Sequence, residues 1–240
     1  MDYVNPYAPP QANIHTITPE HAGAPIPWSP GEVLSEGWTL VKRHWPALVI
    51  GLFIVQILSM IPGQVSTILK ATGAVDDTTA TVIGLPLSLI GMIIGVYLQG
   101  GVIKMYLTAV RGGTPQLGDI FSGGATTGRL ILASLLTGFA ILGGMLALIV
   151  GAFIVAFGFM LAPYFVVDAG RGPVEAMRDS WRAMKGNKGK AFVLSLALFG
   201  VALLGLLACG VGLFVAMAVG QAAFAIVYTR ISGRTAPARL

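Results

Sequence analysis

Apolar side chains fall into six long runs along this chain, at residues 46–62, 82–104, 129–148, 151–167, 190–208 and 211–231. Each is close to the ~20 positions a helix needs to cross a ~30 Å hydrocarbon core. Between Arg129 and Asp168 no charged residue interrupts the pattern, so the chain has to reverse inside a stretch nearly twice as long as one span. Glycine permits a tight reversal, which makes Val150-Gly151 the expected turn there and Cys209-Gly210-Val211-Gly212 its counterpart between the last two runs. Pro62-Gly63 is expected to end or kink the first span, leaving Gln64 to Thr81 as the one sizeable connection on its side.

A helical period of another kind precedes each pair of runs. Ser29-Pro30-Gly31-Glu32 is a capping box with proline at the first helical position, opening a helix with Leu34, Trp38, Val41 and Trp45 on one face. Gly172-Pro173 opens a second, with Val174, Met177, Trp181 and Met184 on one face and Glu175, Arg178, Asp179, Arg182 and Lys185 on the other. Thr114-Pro115, with Leu117, Ile120 and Phe121, gives a shorter version. The pairs also end alike: Tyr106, Tyr164 and Tyr228 are followed by Arg111-Gly112-Gly113, Ala169-Gly170-Arg171 and Ser232-Gly233-Arg234. The pattern predicts an all-α polytopic membrane protein of six transmembrane helices in three hairpins, each introduced by an amphipathic interfacial segment, with pseudo-threefold repetition. Residues 1–30, with 7 of the 14 prolines, read as a disordered cytoplasmic tail, 31–232 as the transmembrane domain and 233–240 as a short basic tail.

Composition agrees, with 55% hydrophobic and only 10% charged residues, well below the roughly 25% charge of soluble domains. No basic segment followed by an apolar one marks a cleaved signal, so the first span is expected to drive insertion. With six spans, every basic residue except Lys70 falls on one face, and the positive-inside rule then puts both termini in the cytoplasm. Treating 129–167 as one tilted helix would split the basic loops between both faces. The net charge of +5 is accounted for by topology, so nucleic-acid binding is not expected.

Chemistry-bearing residues are few. His15, His21 and His44 have no spacing that converges on a metal, and no glycine-rich stretch precedes Lys-Ser or Lys-Thr as in a phosphate-binding loop. No catalytic, cofactor or metal site is expected. The lone Cys209 cannot form an internal disulfide. Polar residues within the spans are amides and hydroxyls (Gln56, Ser59, Ser88, Gln99, Ser134, Thr137, Ser195, Gln221), better suited to interhelical hydrogen bonds than to proton relay. Small residues at Gly91 and Gly95, Ser134 and Gly138, and Ala216 and Gly220 suit close helix packing, chiefly within the chain. Lys104 and Asp168 stand nearest the core and are expected to pair. Arg171, Arg178, Arg182, Lys185, Lys188 and Lys190, with Trp181, form a basic collar that suits anionic headgroups or an acidic membrane-protein partner, though topology alone would also call for it.

Leu161-Ala-Pro-Tyr-Phe-Val-Val-Asp168, Gly172-Pro-Val-Glu-Ala176, Ser180-Trp181, Met184-Lys-Gly-Asn-Lys188 and Ala225-Ile-Val-Tyr228 resemble the membrane domain of glycerophosphoryl diester phosphodiesterases and its free-standing six-span bacterial relatives. Those often turn the second hairpin at Pro-Gly and carry a proline in the last span, where this chain has Val150-Gly151 and Ala218-Val219. The resemblance implies a scaffold in a bacterial inner membrane, without the catalytic barrel. The expected function is therefore a non-enzymatic scaffold or accessory subunit contacting anionic lipids, a membrane-protein partner or a second copy of itself. The alternative is a pore or exporter component for lipids or peptides.

Overall fold

The computed structural model describes residues 25–146, 148–207 and 211–234. Every regular element among them is helical. In order they are α1 (Pro30–Arg43), a π-helical turn (Pro46–Ile50), α2 (Gly51–Ala71), α3 (Asp77–Val110), a 3-10 segment (Leu117–Thr126), α4 (Thr127–Leu146), α5 (Leu148–Phe159), α6 (Ala162–Ala169), α7 (Pro173–Ala183), α8 (Lys188–Leu207) and α9 (Val211–Ser232). Six stretches are long and apolar enough to cross a membrane: Pro46–Ala71, Asp77–Val110, Leu117–Met145, Val150–Ala169, Lys188–Leu207 and Gly212–Ser232. The all-α, six-span class is thus the observed one. Most of the expected tails, with His15 and His21, and the turn at Cys209-Gly210 lie outside the described residues.

Pro62-Gly63 does not end the first span. α2 runs on to Ala71 and α3 begins at Asp77, so the long connection expected over Gln64–Thr81 contracts to residues 72–76. Proline removes only its own N–H, and in apolar surroundings the helix keeps its other backbone bonds because nothing else would satisfy those groups. Room for the ring comes from α3, where a Cβ on Gly91 would lie 3.6 Å from the Pro62 Cβ and 2.8 Å from the Ser59 carbonyl oxygen. Gly95 faces the Ser59 side chain in the same way, so this small-residue pair serves packing within the chain. Asp76 caps α3 by accepting from the Thr78 and Thr79 amides. The Thr79 hydroxyl, which also donates to it, and these amides hold its carboxyl below the usual carboxylate range.

The second reversal also differs from expectation. Val150 and Gly151 lie inside α5 (Leu148–Phe159), so the reversal does not fall at them. Glycine serves close approach here: a Cβ on Gly144 would stand 3.0 Å from the Gly151 carbonyl oxygen. The fourth span is two helices, α5 and α6, because Pro163 in the first turn of α6 cannot continue the hydrogen-bond ladder of α5.

The entry helices turn stripes of small and β-branched residues to the rest of the bundle. In α1 the buried stripe is Val33, Gly37 and Val41, while Trp38, and Trp45 just beyond the helix, stay exposed. Gly37 lets the helix lie against α9, where its Cβ would be 3.3 Å from the Val219 carbonyl oxygen. In α7 the buried residues are Ala176 and Ser180, with Met184 just beyond. Residues 25–29 belong to the packed structure as well: the Ile26 amide donates to the Arg230 carbonyl at 2.9 Å, and Trp28 is buried. The folded part therefore starts earlier than the expected boundary at residue 30.

Candidate functional site

Three glycines in the left-handed region, Gly112, Gly170 and Gly233, end α3, α6 and α9 in the turns where the sequence repeats itself. Those turns bring together a buried ionic knot. Asp168, at the end of α6, accepts a two-pronged contact from Arg111, with Nη1 to Oδ1 at 2.7 Å and Nη2 to Oδ2 at 2.9 Å. The Tyr228 hydroxyl of α9 donates to the same Oδ2 at 2.9 Å, and Arg234 Nη1 stands 3.5 Å from it. Arg111 Nε donates to the Arg234 carbonyl oxygen at 3.2 Å, closing the ring. Bidentate guanidinium–carboxylate geometry is the strongest form of this contact, and here the side chains are only 12% and 11% exposed.

Lys104 is not in the knot, so the expected Lys104–Asp168 pair is replaced by Arg111–Asp168. Arg111 is seven residues beyond Lys104, two turns or about 10 Å further along nearly the same helical face. Lys104 Nζ donates instead to the Ser122 carbonyl oxygen at 2.6 Å, in the 3-10 segment. The tyrosines are core residues: Tyr106 donates to the Leu48 carbonyl at 3.1 Å, and Tyr164 stacks on Tyr228 at 5.5 Å between ring centroids.

The second element of the site is the break between α5 and α6. A helix interrupted within apolar surroundings leaves amides and carbonyls without partners. Ser180 of α7 answers both: its hydroxyl accepts from the Leu161 amide at 3.2 Å and donates to the Gly158 carbonyl at 2.8 Å. Its neighbour Trp181 lies on Gly158 itself, where a Cβ would come within 2.2 Å of the indole ring. Phe159 meets the same ring at 5.2 Å between centroids, and Lys188 Nζ stands 3.3 Å above it. α7 is thus welded to the break in span four.

The seven collar residues separate into two groups. Arg171 pairs with Asp179 at 3.2 Å, Lys188 covers Trp181, and Lys190 donates to the Trp28 carbonyl at 3.1 Å. Arg178, Arg182 and Lys185 make no side-chain hydrogen bond or ion pair among the described residues. Arg178 and Arg182 border a groove of about 510 Å³ whose floor is Leu136 of α4, Phe159 of α5 and Val174, Met177 and Trp181 of α7. No group of three or more histidine, cysteine or acidic side chains that could hold a metal occurs among the described residues. Nothing in the sequence pattern singles out Arg111, Arg234, Gly158 and Ser180 as site residues. The repeated glycine turns mark the two arginines' neighbourhood; nothing local announces that Ser180 bridges a helix break.

Fold and site define an integral membrane protein of six apolar helices whose spans two, four and six are tied together at their ends. Its family follows from comparison: residues 78–235 match the model of a family described as "Protein of unknown function (DUF975)", and the chain belongs to that family. That match carries no link specific to the glycerophosphoryl diester phosphodiesterases. No curated protein and no solved structure matches the chain.

Proposed function

We propose that this is a non-enzymatic, multi-pass protein of the bacterial cytoplasmic membrane, with both termini cytoplasmic, acting as a scaffold or accessory subunit. Its basic collar contacts anionic lipids or an acidic partner in the membrane. The observation that carries this reading is the filling of the bundle interior. Leu98, Val102, Val166, Ala218, Ala222 and Ala225 are buried there, and Gln221 is engaged by the Tyr164 hydroxyl at 3.3 Å. A conduction path or proton relay requires polar or ionisable side chains facing a wetted route, and packing of this kind opposes one. Kinship with the phosphodiesterase membrane domains is part of the proposal, rests on sequence resemblance, and brings no activity with it.

Reconstitution tests the proposal. Vesicles containing the protein are expected to show neither glycerophosphodiester hydrolysis nor proton-driven flux, and gently purified protein is expected to retain anionic lipid above its bulk fraction or a stoichiometric partner. Robust turnover, proton-dependent transport, or purification with neither companion would overturn it.

A further inference from the structure

Resting on that reading, we propose that the groove beneath α7 is a site for one anionic glycerophospholipid, with an acyl chain along Leu136, Phe159, Met177 and Trp181 and the phosphate between Arg178 and Arg182. Shape and chemistry both point there. The groove holds about 510 Å³, its floor is aliphatic and aromatic, and its two polar members are guanidinium groups. A lipid offers the complement: an apolar tail joined to an anion, recognised best by arginine's planar fork. Both arginines lack a protein counter-ion among the described residues, in contrast to Arg171, which has Asp179.

Position within the fold supports the same occupant. Lys188 opens span five and stacks on Trp181, so the polar rim of the groove is level with the start of a membrane-spanning helix. On α7, Arg178 and Arg182 fall at helical angles next to Val174 and Trp181, which places cationic heads at the border of an apolar strip. The walls are fixed before any ligand arrives: Ser180 ties α7 to both sides of the helix break, and Trp181 rests on Gly158. A preformed apolar slot with a few placed polar groups is the usual form of a small-ligand site.

Trp181 supplies the probe. The protein is reconstituted in bilayers containing either phosphatidylglycerol with brominated acyl chains diluted into plain phosphatidylcholine, or the reverse combination. Fluorescence quenching is followed for the component that disappears in Trp181→Phe. The brominated anionic lipid is expected to half-quench this component at a several-fold lower mole fraction than the brominated zwitterionic one, with up to about thirtyfold available from two interfacial arginines. Arg178→Gln with Arg182→Gln should bring the two curves together, whereas Lys185→Gln, outside the groove lining, should move the anionic curve less than twofold. Coincident curves for the unmodified protein would overturn the site, as would a Lys185→Gln shift equal to that of the arginine pair. No quenching by either lipid would mean that protein covers the groove, and would also overturn it. Co-purification of anionic lipid is read separately, so the groove can fail while the scaffold reading stands.

Discussion

At Ser180 a single hydroxyl completes the backbone bonding of an interrupted span, accepting from Leu161 and donating to Gly158. Ser180→Ala would leave a buried amide and a buried carbonyl without partners, and each such group costs about 1–3 kcal/mol. A clear fall in the detergent-solubilised Tm is expected; an unchanged Tm would show that water or a backbone shift satisfies the break. Asp168 carries a larger stake because two arginines and Tyr228 converge on it. Removing one partner of a buried ion pair costs about 3–5 kcal/mol, so Asp168→Asn should destabilise strongly. Lys104→Gln gives up only one hydrogen bond to a carbonyl, about 1 kcal/mol. A double-mutant cycle on Tm separates the pairings: coupling is expected between Arg111 and Asp168, and its appearance between Lys104 and Asp168 would contradict the knot.

Between elements, glycine decides how closely helices meet. The 3-10 segment presses into α3 at Gly101, where a Cβ would sit 2.0 Å from the Ile120 carbonyl oxygen, and Gly123 has the reciprocal contact with Tyr97. Gly138 of α4 has no atom within 4 Å of a Cβ built on it. Gly101→Ala should therefore lower the Tm by displacing backbone, while Gly138→Ala should be neutral or stabilising by about 0.5–1 kcal/mol. If the two variants melt alike, the contact at Gly101 is not as drawn. The six spans are legible in the sequence because burial in lipid demands long apolar runs, a one-dimensional signal. The capping box at Ser29 and the glycine turns are legible for a similar reason, since each answers a local backbone need. The partner of Asp168 and the role of Ser180 are not legible, because they depend on which helix end comes level with which. α1 carries the same lesson: its amphipathic period is legible, but that Val33, Gly37 and Val41 form the stripe laid against α9 depends on which helix comes beside it.

For the whole molecule the governing asymmetry is charge. Lys104, Arg111, Arg129, Arg171 and Arg230 lie toward one end of the bundle, while Lys70 stands at the other, paired with Asp77 at 3.2 Å. α3 has 34 residues, about 50 Å at helical rise, so the hairpin it forms with α2 exceeds a ~30 Å core and carries its turn beyond it. The proposed orientation places that turn in the periplasm, with Asn187, between α7 and α8, on the opposite side. In a background with Cys209→Ser, a cysteine at Thr78 should react with a membrane-impermeant maleimide in intact spheroplasts, and one at Asn187 only after lysis. The reverse pattern would keep the six spans but invert the orientation. Reaction of both from the same side would require an even number of crossings between them in place of the three drawn here, and with it a different fate for the uncharged stretch from Arg129 to Asp168.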